Sequence, residues 1–247
     1  MEKKEKITAG FLIFGDEILS GRTADQNLNF LARNLTELGI NLNETRVVAD
    51  IEDDIIQALM ALSKKYDYVF TSGGIGPTHD DITSQAVAKT FAVELKLNKQ
   101  AQEILFHHYG KDNVNEARLK MAYIPSTASL LDNPVSSAPG FRIENVFVMA
   151  GIPKIFQAMF EACKKELEFG NKILCVEIST NLTESIIAKD FANLQKIYPQ
   201  VTLGSYPFEG GTSLVFRSTN QLLLDKACNE MLEILKKINP NSIIKNT

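Results

Sequence analysis

The chain has 247 residues, 45% of them hydrophobic and 23% charged, with a formal net charge of -4. That length and apolar content suffice for one large domain with a smaller appendage, and the acidic balance excludes a chain-wide basic footprint, so no nucleic-acid partner is expected. Three cysteines, Cys163, Cys175 and Cys228, form no C-x-x-C pair, which argues against a zinc ribbon or a dithiol redox motif.

The charged start, Met1 to Lys6, leads into an apolar stretch that Gly15, Asp16 and Glu17 interrupt too soon for a signal peptide. No run reaches the length of a membrane span, so a cytoplasmic protein without a membrane partner is expected. Ala9 to Phe14 reads as a buried strand, and Asp25 to Leu38 as a helix with Leu28, Leu31, Leu35 and Leu38 on one face, closed by Gly39. Asn41 to Ala49 reads as a second strand, Ile51 to Lys64 as a helix, Tyr66 to Thr71 as a third strand and Ile82 to Phe91 as a third helix. This alternation predicts an α/β fold built on a three-layer, doubly wound, mostly parallel sheet, in which ligands bind beyond the carboxyl ends of the strands.

Asn98 to Tyr123 reads as helical, with a break at Gly110 and a restart near Asn115, and Pro125 ends it. A loop-rich region containing Asn133-Pro134-Val135-Ser136-Ser137-Ala138-Pro139-Gly140-Phe141 follows. Val146 to Met149 then reads as a strand, and Gly151-Ile152-Pro153 opens a helix running to about Glu168. From Asn171 the pattern changes to a strand (Ile173 to Ile178), a helix (Thr183 to Ile197), two strands around Glu209-Gly210-Gly211, and a last helix (Leu222 to Ile238). Residues 1–170 are therefore expected to form a nucleotide- or phosphate-binding domain, and residues 171–247 a small α+β appendage of βαββα order.

The chemistry concentrates in Thr71-Ser72-Gly73-Gly74-Ile75-Gly76-Pro77-Thr78-His79-Asp80-Asp81, a glycine loop between a strand end and a helix start. Backbone N–H groups at such a corner suit an anion, and the glycines let the main chain approach a phosphate. The loop is neither a dinucleotide fingerprint, lacking the third glycine, nor a P-loop, lacking Gly-Lys-Ser/Thr. Asp80 and Asp81 would repel a phosphate unless a cation lay between, which points to a divalent metal, although either residue also suits a helix cap. Arg118 and Lys120 either clamp a phosphate or form a solvated basic face. Ser136 and Ser137, and the corner at Gly151 and Pro153, are further anion donors or ordinary turn residues. His79 reads as a side chain at the rim of the loop.

Together, Gly15-Asp16-Glu17-Ile18-Leu19-Ser20-Gly21, the glycine loop through Asp81, and Asn133-Pro134-Val135 with Ala138-Pro139-Gly140-Phe141 resemble the molybdopterin-binding-fold family. The likeness is to the amino-terminal domain of competence-damage-inducible proteins (CinA) and the related domain of eukaryotic FAD synthases. It covers nearly the whole chain, including an appendage with Leu203-Gly204-Ser205-Tyr206-Pro207. The resemblance implies a homo-oligomer, a small-molecule nucleotide or pterin ligand, and metal-dependent cleavage of the pyrophosphate of FAD or ADP-ribose. It also implies metal and phosphate handling by Asp81 and Asp50, the latter being otherwise a helix cap. Departures from the family pattern are Ala150-Gly151-Ile152-Pro153 and the Ser136-Ser137 pair, and the chain ends at Thr247, without room for an amidohydrolase domain.

The expected function is thus a nucleotide pyrophosphatase using Mg²⁺, Mn²⁺ or Co²⁺. Asp80 and Asp81 would hold the metal, with Asp81, Asp50, Glu17 and Lys120 as catalytic residues. Ser72, Gly73, Gly74, Gly76, Pro77, Thr78, Arg118, Ser137, Ala138 and Gly151 would line the ligand site, the N–H groups of Gly73, Gly74 and Gly76 holding one phosphate. The rivals are a pterin-binding or adenylating protein of molybdenum cofactor synthesis and a non-catalytic nucleotide sensor.

Overall fold

In the computed structural model, residues 6–246 are described, and the charged residues 1–5 and Thr247 lie outside them. The first of two units ends at Gly170. In chain order it comprises β1 (Ile7–Phe14), the single turn α1 (Asp16–Leu19), α2 (Asn27–Glu37), β2 (Ile40–Val48), α3 (Glu52–Lys65), β3 (Tyr68–Ser72) and α4 (Thr83–Thr90). There follow β4 (Leu95–Leu97), α5 (Lys99–Tyr109), α6 (Glu116–Lys120), β5 (Tyr123–Pro125), β6 (Ser129–Leu131), β7 (Gly140–Ile143), β8 (Val146–Met149) and α7 (Pro153–Cys163).

Strand order in the main sheet is β2-β1-β3-β8-β7-β6. The first four are mutually parallel, and β7 runs against both β8 and β6. The period-two alternation of β1 fills both faces. Ile7, Ala9, Phe11 and Ile13 pack under α2 and α7, whose Leu31, Leu35, Phe156 and Phe160 complete one core layer. Leu12 and Phe14 point the other way, against Leu59 and Leu62 of α3 and Val87 of α4. Because β2 lies on one side of β1 and β3 on the other, the chain reverses its winding at β1, which opens a crevice at the carboxyl ends of these strands.

Several expectations are corrected. Tyr123 is not helical: the helix ends at Lys120 and Tyr123–Pro125 pairs with Leu95–Leu97 as a two-stranded ribbon. The stretch read as loop holds β6 and the start of β7. The helix after Pro153 stops at Cys163 and tightens into a 3₁₀ turn over Lys164–Glu166. Strands of three residues, as β4, β5 and β6 are, are too short to display an alternating pattern, which is why they escaped the sequence.

The second unit starts at Asn171 and contains β9 (Leu174–Thr180), α8 (Glu184–Ile197), β10 (Thr202–Phe208), β11 (Gly211–Ser218), α9 (Gln221–Ile238) and β12 (Ile243–Asn246). Its antiparallel sheet has the order β10-β11-β9-β12, so a final strand is added to the expected βαββα order. Glu209-Gly210 turns the β10–β11 hairpin, with Gly210 at φ 93°. Its core joins Ile178, Leu214 and Phe216 of the sheet to Ile187 and Leu194 of α8 and Leu224 and Met231 of α9. Among the described residues no helix is long and apolar enough to cross a membrane.

Phe70 is fully buried, and its ring lies against those of Phe147 (5.3 Å between centroids) and Phe160 (5.6 Å). Phe70→Ala is expected to cost about 3–5 kcal/mol of stability, read as a lower denaturation midpoint in urea.

Candidate functional site

A cavity of about 700 Å³ opens at the carboxyl edge of the parallel sheet. That volume lies within the usual range for small-molecule sites. Glu17 reaches it from the turn after β1, Asp50 from the end of β2, the Gly73–Asp81 loop from β3, and Gly151 from β8. Strand β6 runs in the same direction as β8, since each is antiparallel to β7, so Asn133 and Ser136 emerge at this edge too. The excursion from α5 to α6 adds Tyr109, Arg118 and Met121.

The loop after β3 is shaped by Thr83 at the start of α4. Its hydroxyl donates to the Gly73 carbonyl (3.1 Å) and its N–H to the Gly74 carbonyl (3.0 Å). A Cβ on Gly74, which has φ +68°, would sit 2.1 Å from the Thr83 hydroxyl, so only glycine fits. With the carbonyls turned toward Thr83, the N–H groups of Gly74, Ile75 and Gly76 make no hydrogen bond to another described residue. Gly73 differs from expectation. Its N–H donates to the Met149 carbonyl (3.1 Å) and extends the β3–β8 ladder, so Ile75 takes its place as an available donor.

Neither aspartate of the loop caps the helix, since the cap position of α4 is Ile82 and has no side-chain bond. Asp81 instead braces the loop: its Oδ2 accepts from the Thr78 N–H (2.8 Å) and hydroxyl (2.5 Å). The same oxygen lies 2.7 Å from where a Cβ on Gly76 would be, so the glycine makes room for the carboxylate. Asp80 is exposed, and its carboxyl is held below the usual range by the Thr78 hydroxyl first, then by its own backbone N–H, with the charges of His79 and Lys120 adding to this. The His79 side chain is fully exposed, 3.9 Å from Asp80.

Asp50 is likewise no cap, because Ile51 holds that place at α3 without a side-chain bond. Its Oδ2 accepts from the Asp16 N–H (3.3 Å). Burial raises the Asp50 pKa, and the charges of Asp16, Glu17 and Asp80 push it in the same direction against that one hydrogen bond. Among the described residues no three His, Cys, Asp or Glu side chains form a ready-made metal cage. The donors that do face the cavity, Glu17, Asp50, Asp80 and Asp81, are all carboxylates, the chemistry a hard divalent cation takes when phosphates and water complete its shell.

Of the expected site residues, Glu17, Asp50, Asp80, Asp81 and Arg118 line the cavity. So do Gly73, Gly74, Gly76, Pro77, Ala138 and Gly151. Four do not. Ser72 is buried with its hydroxyl accepting from Asn27 Nδ2, and Thr78 is turned toward Asp81. Lys120 Nζ donates to the Thr78 carbonyl, beside a smaller cavity behind the loop. Ser137, in the left-handed region at φ 59°, turns its hydroxyl to His108 Nδ1 (3.0 Å). Arg118 lies with its guanidinium 4.3 Å from the centre of the Tyr109 ring and donates to the Asn113 carbonyl (2.7 Å).

Sequence reasoning gave no site role to Tyr109 or to Asn133. Asn133 organises its turn alone, accepting at Oδ1 from the N–H groups of Val135 and Ser136 and donating to Ser136 Oγ and the Ala138 carbonyl. An asparagine just before a Pro-containing turn was the signal for it. Tyr109 had none, because the break at Gly110 separates it from Arg118.

A family model for a probable molybdopterin binding domain matches residues 10–168. The chain belongs to the molybdopterin-binding domain family. The second unit of this family member matches the middle domain of FAD synthase over residues 172–244. A protein of Pyrobaculum calidifontis is 32% identical over 214 residues, covering 81% of this chain and 80% of its own. One of Archaeoglobus fulgidus is 31% identical, covering 90% and 95%. The crystal structure of CinA from Thermoplasma acidophilum, described as of unknown function, superposes with a TM-score of 0.63 at 34% identity, over 66% of this chain and 99% of that one. The residues matched by the molybdopterin-binding model lie within the first unit.

For Asp50 the sign of the pH effect follows from its raised pKa. Ionised Asp50 opposes folding at neutral pH, and the opposition fades as pH falls through the folded-state value. In metal-free buffer at pH 7, Asp50→Asn is expected to raise the melting temperature by roughly 2 °C, a gain kept small by solvent screening. The gain should vanish below the ordinary aspartate value of 3.8, as followed by scanning fluorimetry across pH.

Proposed function

We propose that this protein is a divalent-metal-dependent nucleotide pyrophosphatase acting on an ADP-containing dinucleotide such as FAD or ADP-ribose. The observation that carries the reading is the placement of unpaired N–H groups at Gly74, Ile75 and Gly76 on the same cavity as the carboxylates of Glu17, Asp50, Asp80 and Asp81. N–H groups at a strand-to-helix corner favour phosphate, whereas carboxylates repel it, and the two coexist usefully only when a cation is bound between them. The cavity volume of about 700 Å³ suits a dinucleotide, and the likeness of the second unit to the FAD synthase middle domain supports a flavin or adenosine ligand.

Asp80 and Asp81 are the residues suited to hold the metal, which when bound supplies charge neutralisation at the phosphates and a more acidic water. The N–H groups of the glycine loop bind one phosphate of the anhydride. A water oxygen bonds to phosphorus as the bridging P–O bond breaks, giving AMP and a second phosphomonoester. Asp50, whose pKa is raised by burial first and by neighbouring carboxylates second, is the group suited to take the proton that the water loses. Arg118, held in place by Tyr109 and the Asn113 carbonyl, contributes positive charge to the same cavity. Lys120 acts on the loop through Thr78.

The match of residues 10–168 to a molybdopterin-binding domain favours a second reading, in which the same corner binds a pterin or transfers adenylate to it. The deciding assay is AMP release from FAD and from ADP-ribose with Mg²⁺, Mn²⁺ or Co²⁺. The expected result is metal-dependent release that falls about a hundredfold or more in Asp81→Asn and in Asp81→Ala. Absence of release by the folded protein while nucleotide still binds would rule out the hydrolase and favour the pterin reading.

A further inference from the structure

Asn27, the first residue of α2, is 2% exposed, and the mechanism above gives it no part. Its Nδ2 donates both hydrogens to the ends of two strands that lead into the site. One goes to Ser72 Oγ (2.8 Å), at the end of β3, and the other to the Gly151 carbonyl (2.8 Å), just after β8. The two corners it touches lie against each other, since a Cβ on Gly151 would sit 3.3 Å from Gly73 Cα. The Oδ1 of the same amide is buried without a partner, so its donors, rather than its acceptor, account for the side chain at this place.

We infer that Asn27 is a positioning residue that fixes the spacing between the phosphate-binding glycine loop and the neighbouring backbone corner at Gly151, an inference that rests on the phosphate-binding reading above. The donors at Gly74, Ile75 and Gly76 begin two residues after Ser72, and the corner at Gly151 leads into α7. One amide nitrogen with two diverging hydrogens holds both to the start of a helix packed on the sheet. No other side chain of this size does the same: an aspartate has no hydrogen to donate, a leucine leaves the Gly151 carbonyl unpaired, and a glutamine is one methylene too long for the buried space.

The test uses the full chain labelled with ¹⁵N-glycine and titrated with inorganic pyrophosphate in excess Mg²⁺, with Mg²⁺ alone as the reference. In the unsubstituted protein the amide signals of Gly74, Gly76 and Gly151 are expected to move on one saturation curve. In Asn27→Ala and Asn27→Asp, measured well below their melting temperatures, affinity should fall about tenfold and Gly151 should no longer follow Gly74. Ser72→Ala, which removes one arm and leaves the helix start intact, should give a smaller loss of the same kind and serves if the Asn27 variants do not fold. Unchanged affinity with the glycine signals still moving together in the variants would overturn the role of Asn27 alone. Absence of any glycine response in the unsubstituted protein would overturn the phosphate reading, and the positioning role with it.

Discussion

Strands β1, β3 and β8 carry apolar side chains on both faces and strand neighbours on both edges, so every polar group these segments can offer lies at their ends. Parallel pairing then puts all the carboxyl ends on one side of the molecule. The site is the direct result. Turns that follow four parallel strands meet there, and the reversal of winding at β1 leaves the crevice between them open. A slip of one residue in β3 would send Phe70 to the opposite face and carry the glycine loop with it, so core packing and loop placement are one constraint.

Within that crevice the local interactions have opposite signs. Thr83 takes up the carbonyls of Gly73 and Gly74, and the N–H groups of Gly74, Ile75 and Gly76 are left without a partner among the described residues. Burial first, and the neighbouring carboxylates of Asp16, Glu17 and Asp80 second, make Asp50 bind its proton more tightly than a free aspartate. At neutral pH the carboxylates of Asp16, Glu17 and Asp80 therefore oppose the charge on Asp50. Asp81 tempers this by placing one oxygen against Thr78, which costs it freedom but fixes where its other oxygen points. Such pre-set geometry spares the ordering entropy that a flexible carboxylate would lose on binding.

Much of this was legible in the sequence because it rests on patterns that extend over many residues. The apolar face of Leu28, Leu31, Leu35 and Leu38 announces α2, and the Gly-rich run next to paired aspartates announces the turn between β3 and α4 that lines the cavity. What stayed hidden depends on pairings between distant residues. Nothing near Gly73 reveals that its N–H belongs to Met149, and nothing near Lys120 reveals that it reaches Thr78. Asp50 and Asp81 have the spacing of helix caps, but Asp50 is drawn to the distant Asp16 N–H and Asp81 to Thr78 within its own loop. Short strands such as β5 and β6 are chosen by the edges they pair with rather than by their own composition.

In the second unit, β10 forms one edge of the sheet, and the hairpin to β11 leaves Tyr206 and Phe208 exposed along it. An apolar edge strand is ordinarily a template on which foreign chains add a strand of their own. Pro207 stands between those two aromatics, opposite Thr212, and it has no N–H to offer an incoming strand. The same residues that make the edge sticky are thus separated by one that interrupts its ladder, which lets the protein carry an aromatic surface there without seeding its own aggregation.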